Sequence, residues 1–241
     1  MRRLRPRPDL PQATRKRLEN ETDAIAQVAD PKAEAKRRYE NARQAKWFKP
    51  VVEQLGEMSG AGERCMFCSG SEASQVEHFR PKAVFPQDAM KWENFLWACG
   101  TCNQSKGDRF PPETEPGEAI VNPVDEDVWS FFFIDEFGNL SARWRPDFDD
   151  IDPRAAKTIE VLALDRDALQ EARQLRLDDL KKRVKDSLEL FRHGHLATDD
   201  LHTRCEEWRG QPFQPDVANY FLDGPGRAES PFAEFCAQAQ C

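Results

Sequence analysis

Apolar positions along this chain recur at helical spacing near both ends and at strand-like spacing in the middle, with polar and turn-forming stretches between them. After a basic, Pro-interrupted opening (MRRLRPRPDL) that reads as an extended arm, the pattern predicts a helix over 13–28. Asp30 as N-cap and Pro31 in the first turn predict a second helix, along which Tyr39, Ala42, Trp47, Val51 and Leu55 recur at roughly helical spacings; Pro50 kinks or restarts it. GEMSGAGER is a glycine-rich linker into SQVEHFRPK, which predicts a strand before Pro81. A second short strand over 95–98 runs into a helix that begins near Thr101 and stops at Gly107. FPPETEPGEAIVNPVDED (110–127) is turn-rich and acidic. WSFFFIDEFGNLSARW predicts a hairpin about Gly138-Asn139, with Phe131, Phe132 and Phe133 in the core and not on a base-stacking platform. Ile159, Leu162, Leu169, Leu175, Leu180, Val184, Leu188 and Phe191 mark one or two amphipathic helices over 153–191, with start signals at Asp152-Pro153 and Asp165. A last helical pattern covers 215–222.

The mixture makes the chain an α+β protein, mostly helical, in three segments: a basic arm and helices (1–58), a small cysteine-bearing module (59–115) and an acidic, mostly helical remainder (116–241). Charge divides along the same lines. Of 35 basic and 43 acidic residues, 14 and 7 lie within 1–50, which leaves 21 and 36 beyond. One reading of that asymmetry is a polyanion-facing end; the other docks the arm on the protein's own acidic surface. No run approaches the roughly 18 to 20 apolar residues of a membrane span, and the opening lacks the apolar stretch of a signal peptide, so the expected location is the cytoplasm. Of seven cysteines, four have ligand spacing; Cys205, Cys236 and Cys241 show no pairing pattern and read as free thiols in a reducing compartment.

Cys65-x2-Cys68 and Cys99-x2-Cys102 supply the four thiolates that one structural zinc requires, because each pair turns tightly enough to put both sulfurs on one ion. Within and just after these pairs come Glu77-His78, Asn94, Asn103 and Lys106. A neutral histidine can take a proton from water near neutral pH. Hard oxygens of Glu77 and the Asn103 amide can hold Mg²⁺ or Mn²⁺, which neutralises a phosphate and stabilises a leaving 3′ oxygen. Lys106, about one turn beyond Asn103, is expected at a phosphate oxygen. Asn94 is expected to hydrogen-bond across the loop and hold His78 in its productive tautomer. Glu77 and His78 are neighbours on a strand, so they share a site only if the strand ends, twists or bulges there. His193, His195 and His202 read as a partly exposed helix end and not as a further metal site.

These residues together resemble the zinc-stapled branch of the HNH endonuclease superfamily, the ββα-metal fold, over about 65–110. The resemblance implies hydrolysis of DNA phosphodiesters, with His78 as general base, Glu77 and Asn103 on the catalytic metal and Asn94 at the middle position. Glutamate stands where aspartate is commoner, and asparagine where many members carry the last histidine. EHFRPK, WENFLWACGTCNQSKGDRFP, IVNPVDED and TIEVLALDRDAL are similar to stretches of the HNH proteins of bacterial antiphage systems such as Septu and the related retron modules, which implies an ATPase partner. The competing class is a zinc-binding module that holds nucleic acid or protein without cutting.

Overall fold

Asp30 accepts a hydrogen bond from the Ala33 N–H (3.1 Å) and Pro31 occupies the first turn, so helix α2 starts where the sequence predicts and spans Pro31–Ala42. It follows α1, Gln12–Ala26, whose Leu18 and Ile25 are buried. The helical spacing that continues to Leu55 is interrupted. Lys46–Phe48 forms a 3-10 turn, and Pro50 lies in the first turn of a new helix, α3 (Lys49–Met58), where its missing N–H breaks no helical hydrogen bond. This computed structural model describes residues 1–4, 6–110, 120–147 and 149–241. Half of the acidic, turn-rich stretch expected over 110–127 (residues 111–119), and with it the segment boundary at 115, therefore lie outside the described residues.

Strand β1 (Gln75–His78) pairs antiparallel with β2 (Phe95–Ala98), placing Gln75 opposite Ala98 and His78 opposite Phe95. All four residues of β2 are buried, which explains why FLWA is a continuous apolar run without alternation. Helix α4 (Gly100–Lys106) follows directly, capped by Cys99 and ended at Gly107 with φ 50°. The predicted hairpin consists of β3 (Phe132–Ile134) and β4 (Leu140–Ala142). Gly138 at φ 78° and the Asp135 carboxylate, which accepts from the Phe137 and Asn139 N–H groups, close its turn. Phe132 is fully buried, and Phe131 and Phe133 pack against the core. A further two-residue pair, β5 (Trp144–Arg145) with β6 (Asp150–Ile151), is too short to show alternation in sequence.

The 153–191 pattern resolves into α5 (Pro153–Leu162), ended by left-handed Ala163, and α6 (Asp167–Arg192). Helices α7 (Thr198–Arg209) and α9 (Phe232–Ala239) were not anticipated. Only α8 (Pro215–Ala218) and a π-helical turn (Asn219–Asp223) occupy the last predicted helix. His193 and His195 lie exposed beyond α6, and His202 is exposed on α7 with Nδ1 3.2 Å from the Ala239 carbonyl. Among the described residues, no helix is long and apolar enough to cross a membrane.

The arm departs most from an extended, polyanion-facing segment. Met1 is fully buried with its α-amino group 3.4 Å from Asp216, which also accepts from Arg173 Nε (2.9 Å); Leu4 and Leu10 are buried as well. Arg2 donates to the Ser59 carbonyl, and Arg3 pairs with Asp127 (3.0 Å). The Arg7 guanidinium donates to the carbonyls of Trp92 and Phe95 (2.9 Å each) and Glu93 (3.0 Å) and lies over the Trp92 ring. Apolar residues interleaved with arginines thus strap the β1–β2 unit to the α6–α8 region, and the chain's own carboxylates neutralise part of the arm's charge.

Candidate active site and metal centre

The first cysteine pair sits in a tight turn. Cys65 N–H donates to Ser71 O (2.9 Å), Ser69 N–H donates to Cys65 O (2.9 Å), and Ser69 is left-handed at φ 58°. Met66 N–H donates to Trp97 O (2.9 Å), which fastens this turn to β2. The second pair is made by the start of α4, where the Cys99 sulfur accepts from the Cys102 N–H at 3.5 Å. The four sulfurs are buried and lie within 4.8 Å of one another. Cys68 and Cys99 are 3.8 Å apart, which is the edge of a tetrahedron with Zn–S bonds of about 2.3 Å. The donor set therefore fits a closed four-thiolate zinc centre. Among the described residues it is the one group of three or more His, Cys, Asp or Glu side chains placed to share an ion. Arg166 approaches Cys102 Sγ to 4.0 Å, a cation beside a cluster that is anionic with zinc bound.

A cleft of about 400 Å³ lies beside this centre, bordered by Tyr39, Arg43, Glu77, His78, Lys82 and Asn103. The pairing of β1 is regular and the strand ends at His78, so the neighbours Glu77 and His78 both reach the cleft because the strand stops there, without a bulge. Each turns to a different support. The His78 ring packs edge-on against Tyr39 of α2 (4.5 Å between centroids) and Phe95 of β2 (5.3 Å). Its Nε2 is 2.9 Å from the Ala89 carbonyl; a carbonyl only accepts, so Nε2 carries the proton and Nδ1 is the acceptor. Among the described residues Nδ1 has no hydrogen-bond partner, on a residue that lines the cleft. Burial, with the Lys82 cation adding to it, holds the imidazole down to about 3, so the ring is neutral at neutral pH.

The structure relocates two expected roles. Lys106 is fully buried and faces no open phosphate site: its Nζ lies 2.8 Å from Glu77 Oε1 and 2.8 Å from the His78 carbonyl. From one turn past Asn103, the long side chain turns back onto β1 instead of out to solvent. Burial raises the Glu77 carboxyl against the opposing pull of Lys106, and burial lowers the Lys106 ammonium against the opposing pull of Glu77. Asn94 does bond across the loop, accepting from Arg80 N–H (2.7 Å) and donating to the Arg80 (3.0 Å) and Asp88 (2.9 Å) carbonyls. None of these bonds reaches His78; the Ala89 carbonyl, next to Asp88, orients the ring. Asn103 borders the cleft and donates its amide to Gln75 Oε1.

Three cleft residues have no counterpart in the sequence reading. Tyr39 donates to the Val76 carbonyl (2.9 Å), with burial raising its hydroxyl to about 12. Lys82 Nζ sits 5.2 Å from the Tyr39 ring centroid, and Arg43 extends from the end of α2. Neither cation forms an ion pair among the described residues, in a protein of net charge -8. Lys82 stands in EHFRPK, but only the fold of that loop brings it back over β1.

No protein-family model matches the chain. It is 31% identical over 83 residues to the Septu protein PtuB of Bacillus thuringiensis, covering 32% of this chain and 30% of that protein. It is 28% identical over 140 residues to the Septu protein PtuB of Bacillus mycoides (strain KBAB4), covering 46% of this chain and 45% of that protein. The matched stretches thus span less than half the length of these curated relatives, and over them the chain is similar to Septu proteins.

Proposed function

We propose that this chain is a metal-dependent HNH endonuclease that hydrolyses DNA phosphodiester bonds, acting as the nuclease component of an antiphage defence complex with an ATPase partner. The observation that carries the reading is the state of His78. Its Nε2 proton is committed to Ala89, its ring is neutral, and its Nδ1 lone pair is unclaimed beside Glu77 on an open cleft. A water held at Nδ1 gives up its proton as its oxygen attacks phosphorus on the face opposite the 3′ oxygen. Arg43 and Lys82 are the cations available to hold the non-bridging oxygens, while Lys106 keeps Glu77 oriented by one oxygen and leaves the other for the cleft. Glu77 and the Asn103 amide are the hard-oxygen donors for Mg²⁺ or Mn²⁺, which when bound supplies neutralisation of the phosphate and stabilisation of the leaving 3′ oxygen.

Similarity to Septu proteins supports the defence role and the partner. Electrostatics supports dependence on a partner as well: the net charge is -8 and part of the arm's positive charge is already neutralised internally, so the lone chain holds duplex DNA weakly. Cleavage is therefore expected to be low for the isolated chain with Mg²⁺ or Mn²⁺ and to rise when the proposed ATPase partner is added at matched salt. Robust, salt-tolerant cutting by the lone chain would contradict the partner dependence. A chain that binds DNA but cuts it neither with nor without the ATPase partner would favour a zinc-binding module without catalysis.

A further inference from the structure

Helix α2 carries cations on two sides, and their surroundings differ. On the side that shares a groove with α1, Arg38 pairs with Glu21 and Glu34, and Arg37 pairs with Glu34 (2.6 Å). Those arginines are neutralised where the two helices meet. Lys32, Lys36 and Arg43 lie on the other side: at about 100° per residue they fall with Tyr39 in one stripe about 60° wide. All three are exposed, and among the described residues none of them forms an ion pair. Even Glu40, exposed on the flank of the stripe at helical spacing from Lys36 and Arg43, pairs with neither. A role in stabilising the helix does not account for these cations. Lys32 stands in the first turn, where a positive charge opposes the helix macrodipole, and Lys36 has no carboxylate partner.

Tyr39 fixes where the stripe leads. Its hydroxyl donates to the Val76 carbonyl of β1 (2.9 Å), its ring meets His78 edge-on at 4.5 Å, and Lys82 Nζ lies 5.2 Å from the ring centroid. Tyr39 and Arg43 border the cleft, so Lys36 stands about one helical turn, and Lys32 about two turns, before the residue that touches His78. We propose that this stripe of α2 is a track for the backbone of duplex DNA on one side of the cleft. Lys32 and Lys36 each meet a phosphate there, and Arg43 and Lys82 lead from them to the bond that is cut. From Lys32 to Arg43 the helix rises about 16 Å, and a B-DNA strand offers a phosphate about every 3.4 Å along its axis, so the track spans about five base pairs. Sign and continuity argue for this occupant: unneutralised cations grouped beside the cleft of a chain of net charge -8 attract a polyanion locally. The inference rests on the nuclease reading of the cleft and extends it to the flank of the substrate.

The test follows binding of a fluorescently labelled DNA duplex by anisotropy across a salt series, using the full zinc-loaded chain without divalent cation so that no cutting intervenes. The double variant Lys32→Gln/Lys36→Gln is compared with Lys182→Gln/Lys185→Gln, two exposed lysines of α6 whose loss changes the net charge equally. The α2 double is expected to reduce the log–log salt slope by about 1.8, at about 0.9 for each phosphate contact, with the melting temperature unchanged. The α6 double is expected to leave the slope as it was. An unaltered slope in the α2 double, which would leave the stripe to an acidic protein surface, overturns the proposal. So does an equal reduction in both doubles, or no binding of the duplex by the unaltered chain at low salt. Binding is scored apart from cutting: an unaltered slope in the α2 double beside a complex that cuts DNA sinks the track alone, and a reduced slope in a chain that never cuts supports the track and sinks the nuclease.

Discussion

His78 concentrates the chemistry of the cleft because its surroundings settle both its proton and its charge. The Ala89 carbonyl claims Nε2–H, and burial lowers the ring from 6.5 to about 3. An unfolded chain protonates this histidine below about 6.5, whereas the folded chain resists down to about 3. The stability it contributes is therefore present above the unfolded value and is lost as pH falls through that window. His78→Gln, which cannot take up the proton, should show a smaller drop in urea midpoint between pH 7 and pH 5 than the unaltered chain, measured without added divalent cation. Equal drops would mean that the ring is not held neutral. At this scale the sequence was informative where ligand spacing is local: both cysteine pairs and the Glu77-His78 step could be read directly. Arg43, Lys82 and Tyr39 could not, because their place at the cleft depends on how α2 and the 79–94 loop fold over β1.

At the scale of elements, the β1–β2–α4 unit is held by two different devices, the thiolate cluster at one end and the Lys106–Glu77 pair between α4 and β1. Cys99→Ser should lose the bound zinc and melt at a lower temperature, since a module this small gains much of its folding free energy from metal; a full equivalent of zinc by elemental analysis would rule out the four-thiolate site. Lys106→Met leaves the Glu77 carboxylate buried without its cation and should cost about 3–5 kcal/mol in denaturant unfolding. Lys82→Met should change stability by only about 0.5 kcal/mol, yet lower the salt dependence of DNA binding by about 0.9 in log–log slope. The opposite ranking, with Lys106 mattering for salt dependence and Lys82 for stability, would restore Lys106 to the phosphate. The two strands, α4, α2 and the β3–β4 hairpin were legible because caps, Pro positions and alternation are local signals. The restart at Pro50 was legible for the same reason, whereas the β5–β6 pair and helices α7 and α9 were not, being set by short segments or tertiary burial.

At the scale of the whole molecule, the arm decides how the charge asymmetry is used. A count of basic residues cannot distinguish an arm that reaches for a polyanion from one that closes on its own carboxylates; the buried Met1, Leu4 and Leu10 favour closure. Removing residues 1–10 should cost at least about 3 kcal/mol, since burying each such side chain is worth roughly 1.5–3 kcal/mol. That corresponds to a fall of about 6–12 °C in melting temperature for a chain of this size. An unchanged melting temperature with weakened DNA binding would return the arm to the polyanion. Hydrolysis at the cleft is tested most directly by a DNA cleavage assay with Mg²⁺ or Mn²⁺ that compares the unaltered chain with His78→Gln, each zinc-loaded and each in complex with the proposed ATPase partner. The expected result is cleavage by the unaltered complex and a loss of about 10²-fold or more for His78→Gln, with zinc content and DNA affinity retained. Cutting at the unaltered rate by His78→Gln, or no cutting by either complex, would contradict it.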